Sequence, residues 1–215
     1  MILFIIVLII SLLLYIKYDK IDKPFYNIKE INNKLFLLED NHKIIEKELN
    51  NAKLIWVKWP ETYLYEDNNW SIIPIFAFGK WINKYKSFFP LTLNILSQID
   101  NIETILFSKL KPNTIIDPHQ GWEELSNRIL RCHLCLTIAD KGINYISVSN
   151  FKKYHKKGEL IIFDDSKLHY SINKSNEDRI VLIIDIKRPN YIEKGKSKIK
   201  KTPQLIKLIN KYLLT

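Results

Sequence analysis

A chain of 215 residues has room for one globular domain with extensions but not for two full domains, and 47% hydrophobic with 12% aromatic residues supplies a sizeable core. Two cysteines exclude a disulfide scaffold, and five glycines leave no Gly-rich phosphate loop, which argues against a dinucleotide fold. The formal net charge of +10 follows from a composition rich in Ile, Lys and Asn, and without aromatic interleaving or a recognised module it does not indicate a specific nucleic-acid partner.

Residues Met1 to Ile16 read MILFIIVLIISLLLYI, uncharged, with only Ser11 and Tyr15 carrying polar atoms, and the run stops at Lys17. Sixteen residues rise ~24 Å as a helix against a hydrocarbon core of ~30 Å. Lys17 and Lys20 can snorkel, and Tyr18 can sit at the interface. The segment is expected to be a single-pass transmembrane anchor. A cleaved signal peptide would need a basic region before the run and a small-residue cleavage site after it, and neither is visible. The flanking lysines lie after the span and favour a cytosolic domain, but the side of the membrane stays open.

Apolar residues at Ile28, Ile31, Leu35, Leu38 and Ile45 predict a helix or a broken pair of helices over Ile28 to Leu49. From Leu54 to Trp81 the chain is aromatic and irregular, reading as short strands and loops at a core edge. Pro90 to Ile99 predicts a short helix with proline at its start. Short runs rich in Ile, Leu and Val follow at Thr104 to Leu110, Ile129 to Ala139, Asn144 to Ser149, Glu159 to Phe163, His169 to Asn173 and Arg179 to Ile186, divided by turn signals. That spacing predicts an antiparallel sandwich or jelly-roll barrel rather than alternating β-α units.

Between Lys187 and Lys201 seven basic residues face one acid, Glu193. A solvated segment is the plain reading, and an anionic membrane surface or nucleic acid the sharper one. Pro203 to Leu214 predicts a terminal helix with Leu205, Ile206, Ile209 and Leu213 on one side, packing on the barrel or on a second copy. The chain thus divides into an anchor (1–16), a helical connector (17–53), a β domain (54–190) and a basic tail with a helix (191–215).

Cys132 and Cys135 have the spacing of a zinc or redox pair. On a strand, however, residues three apart point to opposite faces, so both are read as core filler. His119 follows Pro118 in an expected loop, and His169 begins a strand. Two imidazoles of this kind can hold a redox metal with positions left open. Arg131 and His133 share a strand face. Arg179 opens an apolar strand, where it needs solvent, an ion pair with Asp178, Asp185 or Glu177, or an anionic ligand that its fork can grip bidentately.

Taken in order, Phe107-Ser108-Lys109-Leu110-Lys111-Pro112, Pro118-His119-Gln120-Gly121, Leu130-Arg131-Cys132-His133-Leu134, Gly158 to Ser166, His169, Arg179 and Asp185 to Pro189 resemble the aspartyl/asparaginyl β-hydroxylase family over about Trp70 to Pro189. The resemblance implies a double-stranded β-helix with flanking helices, and an iron(II)- and 2-oxoglutarate-dependent dioxygenase using O2. It implies His119 and His169 as iron ligands and Ser108, Arg131, His133 and Arg179 as contacts to 2-oxoglutarate, with Arg179 at the distal carboxylate. Gly121 stands where most related oxygenases carry a third, carboxylate ligand, and water would fill that position.

The spacer from Gly121 to Arg131, which contains Trp122 to Arg128, is slightly longer than the pattern leads one to expect, so Glu123 or Glu124 either reaches the iron or faces solvent. The chain has no room for the large helical-repeat domain of animal members, whose substrate is therefore not carried over. The expected substrate is the β-carbon of Asp or Asn in a protein. A membrane-lipid acyl chain is the alternative, because bacterial relatives acting on lipids look similar and an anchor is expected. A non-catalytic, membrane-anchored binding module on the same fold is the reading from another class.

Overall fold

A computed structural model describes residues 20–213. The expected anchor at 1–16 lies outside them, and among the described residues no helix is long and apolar enough to cross a membrane.

Twelve strands are described: β1 (Phe25–Tyr26), β2 (Val57–Lys58), β3 (Trp70–Ala77), β4 (Lys80–Trp81), β5 (Ile102–Leu110), β6 (Thr114–His119), β7 (Ile129–Thr137), β8 (Ile143–Val148), β9 (Phe151–Tyr154), β10 (Leu160–Phe163), β11 (His169–Lys174) and β12 (Arg179–Lys187). A large antiparallel sheet runs β1-β10-β7-β12-β5-β3-β2, with β4 on β3, and a smaller one runs β6-β11-β8-β9. This is the mainly β jelly-roll arrangement that the strand spacing predicts.

Alternation along the large sheet sorts its side chains into two faces. One face carries Ile105, Phe107, Cys132, Leu134, Leu182 and Ile184, and helices cover it. The helices are α1 (Ile28–Ile31), α2 (Phe36–Asp40), α3 (His42–Ala52), α4 (Asn83–Lys86) and α5 (Pro90–Leu96). Leu35, Leu38, Ile45 and Leu49 are buried in that same cluster. Within the segment expected to connect an anchor to the domain, Tyr26, Ile28, Leu35, Leu38, Ile45 and Leu49 thus lie in the domain's own core. Glu48 on α3 ties α5 down, accepting hydrogen bonds from the Leu91 and Thr92 amides at 2.9 and 2.8 Å. Those amides belong to a helix start that has no internal acceptors for them.

The opposite face looks into the barrel. Register places Thr104, Asp185, Arg131 and Phe163 in one row, Leu106, Ile183 and His133 in the next, Ser108, Val181 and Cys135 in a third, and Trp70, Leu110 and Arg179 in a fourth. Ile146 and Val148 of β8 pack on Ile161 and Phe163 of β10 and join the two sheets. Cys132 and Cys135 fall in different core clusters on opposite faces, and burial raises both thiols above their ordinary range.

Beyond β12 the basic segment is ordered, against the plain reading of a free solvated tail. Arg188 grips Asp164 with two bonds of 2.9 and 2.6 Å. Asn127 exchanges two hydrogen bonds with Ser197, and Ser197 Oγ donates to the Gly121 carbonyl at 2.6 Å. A short helix, α6 (Glu123–Ser126), lies between β6 and β7, and beyond Ser197 the chain enters α7 (Pro203–Leu213). Thr202 caps its start by accepting from the Leu205 amide at 3.2 Å. The inward face of α7 is Leu205, Leu208, Ile209 and Tyr212, whereas Ile206, expected inward, is 43% exposed.

Candidate active site

His119 is not in a loop: it ends β6 and pairs in register with His169 at the start of β11. Their ring centroids lie 4.3 Å apart. Each Nδ1 lies against the carbonyl oxygen two residues earlier, at 2.7 Å from Asp117 and 2.8 Å from Lys167. A carbonyl only accepts, so each Nδ1 carries the proton and each Nε2 is left as a lone-pair donor, the tautomer a metal ligand needs. Burial holds His169 down at about 4 and, with His169 beside it, His119 at about 3. Both rings are neutral at pH 7.

The loop after His119 is fastened to the turn before His169. The Gly121 amide donates to the Asp165 carbonyl at 2.9 Å, and Gln120 Nε2 to the Ser166 carbonyl at 2.7 Å. Asp165, 1% exposed, places Oδ1 3.4 Å from His169 Nε2 and 2.6 Å from Arg131 Nη1. A Cβ at Gly121 would lie 1.9 Å from Asp165 Oδ2, so a neighbouring carboxylate fills the direction in which a side chain at 121 would project. Burial pushes the Asp165 carboxyl up to about 6 against the pull of Arg131.

Arg131 and His133 share the inward face as expected, but the Arg131 guanidinium is engaged. Nε and Nη2 grip Asp185 at 2.8 and 2.9 Å while Nη1 holds Asp165. Arg131 thus aligns Asp165 as well as facing the chamber. Arg179, 1% exposed, has no carboxylate partner among the described residues: Nη1 donates to Ser171 Oγ across the barrel at 2.7 Å, and Nε has no partner. Of the three readings open for it, solvent and the pairing with Asp178, Asp185 or Glu177 are both absent. Burial lowers its pKa to about 10, so the guanidinium is charged at neutral pH.

Ser108 is buried and accepts a hydrogen bond from Trp70 Nε1 at 2.9 Å. His133 stands edge-on to Phe163 and stacks with His155 at 5.8 Å. Burial holds both histidines far below their ordinary range, and His155 Nδ1 has no partner. Glu123 and Glu124, considered as additional iron ligands, pair with Lys200 and Lys201 instead.

Asp165, Trp70 and His155 are the site residues that the sequence reading did not select. Asp165 had a signal, four residues before His169, masked because paired acids in a turn read as solvated. His155 lies in a lysine-rich stretch that resembles an exposed hairpin, and Trp70 carries no distinguishing pattern.

Among the described residues no three His, Cys, Asp or Glu side chains converge as a complete metal cage. The donor set is two imidazoles whose Nε2 atoms carry the lone pair, with the Arg131-paired carboxylate of Asp165 beside His169, which fits an iron(II) site with several open positions.

A sequence model of the Aspartyl/Asparaginyl beta-hydroxylase family matches residues 39–189. An ornithine lipid ester-linked acyl 2-hydroxylase of Rhizobium tropici is 27% identical over 57% of this chain and 43% of its own length. Human aspartyl/asparaginyl beta-hydroxylase is 29% identical over 71% of this chain and 21% of its own. The chain spans less than half the length of either relative. In fold it is similar to a 2OG-Fe(II) oxygenase family oxidoreductase from Burkholderia pseudomallei, with a TM-score of 0.50 and 14% identity over 72% of this chain and 83% of the other. The match over residues 39–189 places the chain in the aspartyl/asparaginyl β-hydroxylase family.

Proposed function

We propose that the chain is an iron(II)- and 2-oxoglutarate-dependent hydroxylase. The observation that carries this reading is the cross-strand pair of imidazoles, His119 and His169, each with its lone pair on Nε2, together with Arg179, a buried guanidinium that lacks a carboxylate partner and donates to Ser171, two residues along the same strand as His169. Iron(II), held by His119 and His169, would supply the O2 activation that couples decarboxylation of 2-oxoglutarate to hydroxylation of a C–H bond, giving succinate and carbon dioxide.

The chain's own contribution is placement and exclusion of water. Arg179 receives the distal carboxylate of 2-oxoglutarate, and Ser108, His133 and Arg131, on the same inward face of the large sheet, are the side chains available to the rest of it. Asp165 Oδ1 and Oδ2 are the atoms available to hold a proton beside His169. The apolar amino terminus, outside the described residues, would anchor the enzyme as a single-pass membrane protein.

Two substrates fit this reaction. The β-carbon of an Asp or Asn side chain in a protein follows from the family and from its human member. A lipid acyl chain follows from the Rhizobium relative, and the mainly apolar lining of the cavity beside His119 favours it. The test is oxygen-dependent conversion of 2-oxoglutarate to succinate by the full chain, paired with mass spectrometry of proteins and lipids from cells making wild type or His169→Ala. Wild-type turnover lost in His169→Ala is expected; equal turnover in the two rules out His169 as a ligand.

A further inference from the structure

We propose that α7, with the segment leading into it, builds a subsite for one unbranched alkyl chain beside the His119/His169 centre. The proposal rests on the hydroxylase reading for its purpose, because the chain would be the part of the substrate that positions the reacting carbon. α7 lies beyond residues 39–189, the span matched by the family, so this wall is not implied by membership.

A cavity of about 300 Å³ is lined by His119 and Gly121 together with Leu205, Leu208, Ile209 and Tyr212 of α7. Volumes of this order are typical of small-molecule sites. Ile72, Leu106 and Ile183 of the large sheet complete an apolar floor. The helix is held in place at both ends. Thr202 caps it and donates to Glu61 Oε1 at 3.0 Å, and Tyr212 lies 6.3 Å from Tyr85 between ring centroids.

Charge decides between an alkyl chain and an acidic side chain as occupant. The cavity's one arginine, Arg131, is spent on Asp165 and Asp185. The remaining carboxyl, Glu61, is buried, which raises its pKa. Two of the polar groups that could serve an amide are engaged, Thr104 Oγ1 with Asp185 and Gln120 Nε2 with the Ser166 carbonyl, while Trp59 Nε1 is left without a partner. Away from the end where His119 would hold iron, an aspartyl carboxylate would meet no unpaired cationic side chain of this lining, at a cost that a neutral hydrocarbon does not incur.

The test uses full-chain protein in digitonin, which has no alkyl chain, with 11-bromo-1-undecanol as a short-range quencher of tryptophan fluorescence. Trp59, Trp70 and Trp122 line the cavity. Competition by n-alkanols from octanol to dodecanol reads chain-length dependence, and the visible band of the iron(II)–2-oxoglutarate complex is recorded on the same samples. Saturable quenching is expected, with competition strengthening roughly fourfold per methylene. It should weaken at least tenfold in Leu208→Phe and stay unchanged in Ile206→Phe, on the outer face of α7.

Quenching that does not saturate, or is the same in Leu208→Phe as in wild type, overturns the subsite. So does displacement by an acetyl-aspartyl-amide peptide but not by dodecanol. Saturable, length-dependent quenching lost in Leu208→Phe supports the subsite whether or not the band appears. A missing wild-type band counts against the hydroxylase reading alone.

Discussion

The carboxylate of Asp165 occupies the direction in which a side chain at Gly121 would project, with Oδ2 1.9 Å from the position of a Cβ there. The Gly121 amide donates to the Asp165 carbonyl as well, so the two residues are fitted to each other through backbone and side chain. Gly121→Ala should therefore cost about 1–3 kcal/mol of stability. In an Asp165→Ala background the cost should fall by at least ~0.5 kcal/mol. Urea unfolding of the four proteins in this cycle is the check, and strictly additive losses would count against the fit.

Arg179 is a buried cation without a carboxylate. Arg179→Met should leave the protein without iron as stable as wild type or more so, because an uncompensated charge is removed. The same change should weaken 2-oxoglutarate binding by about 2–4 kcal/mol, or roughly 30- to 1,000-fold. Urea midpoints and equilibrium binding separate this from an ion-pair role, which predicts clear destabilisation.

His133, His155 and His169 are all buried, and burial lowers the pKa of each in the folded chain. Around pH 6 the unfolded chain binds more protons at these positions than the folded chain does. Their contribution is thus complete above about pH 6.5 and lost as pH falls below it. Asp165 works the other way: raised to about 6 in the folded chain, it adds stability at low pH that is lost as pH rises through that value. With His119, held at about 3, these make four sites against one and leave a net of about three protons. Between pH 6 and 5 the iron-free protein should lose roughly 3–4 kcal/mol per pH unit, measured by urea unfolding across pH. A flat profile would show that these histidines are not held neutral.

Leu38 on α2 is fully buried against the large sheet. Leu38→Ala should destabilise the whole domain by about 2–5 kcal/mol, shifting one cooperative thermal transition. A separate low-temperature transition, with the main one unmoved, would mean that the 28–52 helices are an appendage.

The six apolar strand runs, the pairing of Arg131 with His133 and the separation of the two cysteines were all legible in the sequence, because alternation alone determines them. Three strands were not: β6, β9 and the two-residue β1 inside the expected helical connector. β6 buries Thr114 and leaves Ile115 42% exposed, inverting the hydropathy signal, and β9 exposes both of its aromatics, Phe151 and Tyr154. The missed β6 is why His119 read as a loop residue. The basic segment was misread for another reason: Gly195 and Ser197 face inward between exposed lysines, and small inward residues leave no apolar trace. On α7, Ile206 and Leu208 are both apolar, and only the barrel decides which of them turns inward.

The most direct test of the central claim is an anaerobic iron(II) titration of the full chain in digitonin, followed through the visible charge-transfer band on adding 2-oxoglutarate. The account predicts a saturable band in wild type and none in His169→Ala at matched folding. A folded wild-type protein without the band, or an equal band in His169→Ala, would contradict it.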